Sequence, residues 1–181
     1  MTPVPASAPL SPPRPPTDGD DWTALADRAL PVGDAYGWAV RPDCGAVVVF
    51  TGTARDHSAG RPGVSELAYE AYEEQAVPRM QAVVDEMRRR WDLGRVAIVH
   101  RVGDVPIGQE AVLVVVSAAH RGEAFAAARF GIDAVKASVP IWKRELWDGG
   151  EGWGLEAQHL VDPSEVAAAD VAALDATGAR A

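Results

Sequence analysis

The sequence predicts an α+β protein built as a mixed sheet with two main helices on one side. Three patterns carry that prediction. Short β-branched runs recur along the chain, and two long segments between them repeat apolar residues every three or four positions. The chain has 181 residues, 48% of them hydrophobic, which suits one core and a single domain.

The opening segment 1–21, "MTPVPASAPLSPPRPPTDGDD", has seven prolines before Asp18 and reads as a disordered tail, because proline removes backbone donors and fixes φ. Between Trp22 and Arg41 the pattern is ambiguous, with a short helix predicted near Gly33. "GAVVVFTGTA" (45–54) is a strand whose continuous apolar character predicts cover on both faces or a central place in its sheet. It ends in the turn-rich loop "RDHSAGRPG". "VSELAYEAY" (64–72) alternates like a half-buried strand. Ala76, Met80, Val83, Val84, Met87 and Trp91 then predict a helix, with Pro78 tolerable near its first turn and Gly94 as the stop. "RVAIVHRVG" (95–103) and "EAVLVVVSAA" (110–119) read as strands joined by "DVPIGQ". A second helix runs from about Gly122 to Ser138 with Phe125, Ala128, Ile132 and Val135 on one face, and Pro140 halts it at Val139. "GWGLEA" reads as a short strand and the Ala-rich end after Ser164 as a frayed helix. The predicted organisation is therefore a tail (1–21), one domain (22–160) and a C-terminal extension (161–181).

A formal net charge of -9 and a pI near 4.8 argue against a nucleic-acid or anionic-membrane surface. An anionic ligand would need a local pocket of cations. The single cysteine, Cys44, excludes an internal disulfide and a Cys-rich zinc site. No apolar run reaches the length of a membrane span and the N-terminus lacks a signal peptide's hydrophobic stretch, so a cytoplasmic location is expected.

Two residues stand out chemically. Of seventeen basic residues, only Lys136 and Lys143 are lysines, and they share the stretch "AVKASVPIWKRE". A solvated site accepts either cation, whereas an amine can lose its proton and act as base or nucleophile. His120 and Arg121 end a strand and open a helix, where exposed N–H groups and the dipole favour an anion. Arg55 and His57 form a similar pair after the first strand. His100, inside an apolar strand, reads as a core or interface histidine, and His159 has no assigned role. No His–carboxylate spacing suggests a metal, and no Gly-rich Lys-Ser/Thr loop or Gly-x-Ser-x-Gly elbow occurs. Pyridoxal chemistry lacks a phosphate cradle. No cofactor is expected.

Taken in order, "GAVVVFTGTARDH", "YEAY", "WDLGRVAIVHRVGDVPIGQEAVLVVVSAAHRGEAF" and "KASVPIWKRE" resemble the family of large, catalytic subunits of molybdopterin synthase, over about Gly33 to Glu156. The resemblance implies an α/β hammerhead fold, a homodimeric core and a small ubiquitin-like subunit at each end, giving a heterotetramer. It implies a sulfurtransferase of molybdenum cofactor biosynthesis. The partner's C-terminal Gly-Gly thiocarboxylate would supply sulfur to cyclic pyranopterin monophosphate, forming the dithiolene. Matched to the family motif, Lys136 would orient the thiocarboxylate and shuttle a proton, with neighbouring cations favouring loss of that proton. Lys143 would hold the pterin and stabilise developing negative charge, and Arg55, His120 and Arg121 would grip the phosphate. One departure is Gln158, where the family often has an arginine contributed across the dimer; a charged contact becomes a neutral one. A rival reading, from a different class, is a binding module that clamps a ubiquitin-like tail without chemistry, using the apolar "VPIW" beside a sheet edge.

Overall fold

The computed structural model describes residues 10–58, 60–154 and 160–167. Its elements run β1 (Asp21–Ala26), α1 (Val32–Ala39), β2 (Ala46–Thr53), β3 (Val64–Ala71), α2 (Glu73–Arg90), β4 (Leu93–Arg101), β5 (Gly103–Val105), β6 (Glu110–Ala118), α3 (Arg121–Ser138), β7 (Ile141–Trp147) and β8 (Gly150–Trp153). A 3-10 turn, Pro163–Glu165, follows. Two four-stranded sheets result, ordered β1-β4-β6-β2 and β5-β3-β7-β8. The first is mixed, because β1 lies parallel to β4 while β6 runs antiparallel to both β4 and β2. The second is antiparallel throughout.

The two long helices share one face of the first sheet, as expected. Met80, Val83, Val84 and Met87 of α2, with Phe130, Ile132 and Val135 of α3, bury against Val96, Ile98, Val112, Val114 and Val116. The opposite face is not bare: α1 supplies Ala35 and Ala39, packed with Trp22, Ala97, Val99, Leu113 and Val115. Cover on both faces explains why β4 and β6 read as continuous apolar runs rather than alternating ones. The helices approach closely at Gly131, where a Cβ would sit 3.2 Å from Met87 Sδ and Cε.

Several expectations change. The apolar strand β2 meets the first of its two alternatives, cover on both faces, and not the second: it forms an edge, with β6 as its neighbour. The predicted face of the second helix holds at Ala128, Ile132 and Val135, which are buried, but fails at Phe125, which is 62% exposed; Phe130 is the aromatic residue in the core. Pro78 lies in the second turn of α2, not the first. Both Pro78 and Glu74, whose carbonyl loses its helical donor, are solvent-exposed, which relieves the loss. The strands β1, β5 and most of β7 carried too little periodicity to be read, being short or interrupted by charge. α3 stops as predicted: Val139 is extended (φ -92°, ψ 129°) ahead of Pro140, and the chain enters β7 directly. Residues 1–9 and 168–181 of the two terminal segments, and residues 155–157 of "GWGLEA", lie outside the described residues, as do Gln158 and His159.

Candidate active site

A cavity of about 440 Å³ opens between the two sheets and the C-terminal turn of α3. Three of the five candidate residues line it. Lys136 comes from the last turn of α3, Lys143 from β7, and Arg55 from the loop after β2. The sequence brings the lysines together through one device, the helix stop at Pro140. That stop reverses the chain so that β7 can pair with β3, Lys143 opposite Tyr69.

The two amines have different surroundings. Lys143 Nζ lies 2.7 Å from Glu145 Oε1, an ion pair between residues two apart and hence on one face of β7. The second oxygen of Glu145 accepts from Arg61 Nη1 at 2.8 Å and Ser58 Oγ at 2.9 Å. Burial alone would raise the Glu145 pKa, but hydrogen bonds from Lys143, Arg61 and Ser58 overcome it and hold the carboxyl at about 2. Arg61 is fixed further, stacked 4.3 Å over the Trp147 ring. Thus Lys143 is a positioned ammonium. Lys136 is exposed and has no ion-pair partner among the described residues. Arg55 is likewise exposed and unpaired among them, whereas His57 is held 2.6 Å from Asp56.

His120 and Arg121 are not in this cavity. They sit where predicted, as N-cap and first residue of α3, both exposed. From Arg121 to Lys136 is fifteen helical steps, or about 22 Å at 1.5 Å each, so one chain does not bring them to the same ligand.

Other cavity residues went unassigned in the sequence. Glu145 lies within the quoted "WKRE" block; the signal that could have marked it was the i, i+2 spacing from Lys143. Ser58 lines the cavity and, with Arg61, sits in a loop whose fold depends on contacts with β7, more than eighty positions away, and no local pattern encodes that. His100 is buried, as expected of a core histidine, yet it also lines the cavity. Among the described residues, no cluster of three or more His, Cys, Asp or Glu is positioned to hold a metal, and no helix is long and apolar enough to cross a membrane.

Comparison with known proteins adds independent findings. The family described as MoaE protein matches over residues 25–138. The molybdopterin synthase catalytic subunit of Escherichia coli is 44% identical over 136 residues, covering 75% of this chain and 89% of that protein. That of Arabidopsis thaliana is 40% identical over 126 residues, and the match covers 70% of this chain but only 63% of the plant protein's length. Among solved structures, molybdopterin synthase from Staphylococcus aureus superposes with a TM-score of 0.68 at 35% identity, covering 72% of this chain and 94% of that one.

Proposed function

The chain belongs to the MoaE protein family, and from that premise we propose that it is the catalytic subunit of molybdopterin synthase, acting in the cytoplasm on molybdenum cofactor biosynthesis. In this reading residues 22–160 form the catalytic domain. A small ubiquitin-like subunit inserts its C-terminal Gly-Gly thiocarboxylate into the cavity, and two sulfurs pass in turn to cyclic pyranopterin monophosphate to form the dithiolene. The observation that carries the reading is the convergence of Lys136, Lys143 and Arg55 on one cavity from three separate elements.

The differing environments of the amines suggest a division of labour. Lys143, clamped by Glu145, offers fixed positive charge where negative charge develops as a carbon–sulfur bond forms. Lys136 is unclamped, so its amine is free to meet the thiocarboxylate and to exchange a proton as sulfur leaves. Arg55 contributes a guanidinium suited to the substrate phosphate. No cysteine is required, because the sulfur arrives already bound to the partner.

The homodimer gives His120 and Arg121 a place in the same scheme. β2 begins beside the start of α3, where Gly45 N–H donates to Ala119 O, and it ends near Arg55 at the cavity. Among the described residues its outer edge is also unpaired and apolar, which a soluble chain ordinarily protects. Antiparallel pairing of β2 with β2 of a second copy would lay one copy's α3 start beside the other's cavity. The ~26 Å length of an eight-residue strand matches the ~22 Å gap within one chain.

The test is a Lys136→Arg variant assayed with thiocarboxylated partner and precursor. Arginine keeps the charge but neither deprotonates nor places a compact ammonium there. Sulfur transfer is expected to fall at least 100-fold with partner binding retained. Transfer at the parent rate would favour the tail-clamp reading and remove Lys136 from the chemistry.

A further inference from the structure

One row of paired residues crosses the first sheet at the cavity: Leu25 on β1 pairs with His100 on β4, His100 with Val112 on β6, and Val112 with Gly52 on β2. His100, Val112 and Gly52 all line the cavity. From the opposite sheet, Tyr69 stands edge-on to the His100 imidazole with ring centroids 5.0 Å apart, and Tyr69 is itself the cross-strand neighbour of Lys143.

The state of the His100 ring follows from its contacts. It is 7% exposed, and Nδ1 lies 2.7 Å from the carbonyl oxygen of Arg101. A carbonyl oxygen only accepts, so Nδ1 carries the proton. Burial pushes the imidazolium pKa down to about 4, with that hydrogen bond opposing it. At neutral pH the ring is therefore uncharged and Nε2 presents a bare lone pair. Nδ1 faces the backbone, which leaves Nε2 and the adjacent carbons as the ring atoms available to the cavity. An acceptor that lines a cavity in this state is satisfied by a bound group that brings a donor.

The cavity thus combines two chemistries. Arg55, Lys136 and Lys143 are suited to anions, whereas the wall around His100 is apolar or neutral: Leu67, Tyr69, Val112 and Ile132. A reduced pterin matches both, with its phosphate at one end and several N–H donors on its heterocycle. Building on the reading of the previous subsection, we propose that His100 is a specificity-determining residue, its Nε2 accepting a hydrogen bond from a ring N–H or the exocyclic amine of the pterin. Its part is orientation and not proton abstraction, because so weak a base takes up little proton at neutral pH. A heterocycle that turns a carbonyl toward Nε2 sets two acceptors against each other and is disfavoured.

The experiment is anaerobic calorimetry of cyclic pyranopterin monophosphate with the parent, His100→Gln and His100→Phe, each assembled with a carboxylate-ended partner. Gln restores an acceptor at similar reach, while Phe keeps a ring without one. The expected result is binding to the Gln variant within about threefold of the parent and a loss of roughly tenfold or more with Phe, the scale of one hydrogen bond. In turnover the loss should fall on KM, with single-turnover sulfur transfer at saturating precursor changed less than about threefold, a pattern that general structural damage would not give. Equal affinity of the Phe variant and the parent would overturn the assignment. Should either variant fail to fold, the parent labelled with 15N-histidine decides: the Nε2 resonance must shift on adding precursor, and an unmoved Nε2 signal in the saturated complex overturns the proposal. A parent that binds no precursor would reject the molybdopterin reading itself, which separates the two failures.

Discussion

Replacing Glu145 with glutamine removes the one carboxylate shared by Lys143 and Arg61, while keeping shape and some hydrogen bonding. The Glu145 side chain is 4% exposed, with Arg61 at 20% and Lys143 at 27%, so solvent screens the pairs little. Its folded-state pKa of about 2, against 4.5 for the ordinary group, corresponds to about 3 kcal/mol of stability at neutral pH. Because the folded pKa is depressed, that contribution is complete above about pH 4.5 and drains away as pH falls through about 2. Urea unfolding of parent and variant from pH 7 to pH 3 should give a stability gap of about 3 kcal/mol that narrows by roughly 2 kcal/mol over that range. Taking the difference cancels other carboxylates, such as Glu86, which its Arg89 and Arg90 partners also hold at about 2 against the cost of burial. In the assay of sulfur transfer the same variant should lose most activity, since Lys143 is released from its clamp. A gap that stays constant with pH, or one below about 0.5 kcal/mol at pH 7, the scale of an ordinary surface change, would refute the reasoning.

Other outcomes follow from the same structure. Phe130→Ala should cost about 3–5 kcal/mol, since the ring is fully buried against Trp91 and under the Arg90 guanidinium; the exposed Phe125→Ala should cost less than about 0.5 kcal/mol in the monomer. Both are read by chemical denaturation. Val49→Lys, at a position 37% exposed on the β2 edge, should halve the mass measured by light scattering if β2 joins two copies. His120→Ala with Arg121→Ala should weaken precursor binding at least tenfold in calorimetry and leave partner binding intact; an unchanged precursor Kd would remove both from the phosphate site.

What the sequence made legible depended on whether the pattern was local. α3 was read almost to the residue, because Arg121 follows a strand of uninterrupted apolar character and Pro140 closes the helix. β4 and β6 were equally plain, since burial on both faces left their central positions, Val96–Val99 and Ala111–Val116, uniformly apolar. β7 was hidden: "IWKREL" holds three charged residues in a row, and two of them, Lys143 and Glu145, face inward only because they neutralise each other. The same long-range pairing concealed Arg61 and Ser58. β2 announced itself as a strand, but whether it was central or an edge depends on topology, which apolar character does not report. Of the candidate site, the paired lysines were visible because arginine elsewhere made them anomalous. That Lys143 is clamped and Lys136 is not could not be read without knowing where β7 lies. His100 was correctly placed in the core, yet sequence gives no sign that a core position also borders a cavity.

In the proposed function this cavity, with its two amines, handles sulfur carried by a second polypeptide. Mass spectrometry of the chain mixed anaerobically with thiocarboxylated partner and cyclic pyranopterin monophosphate tests it most directly. Dithiolene product is expected, with two partner thiocarboxylates converted to carboxylates for each one formed. Partner that keeps its sulfur in the presence of bound precursor would contradict it.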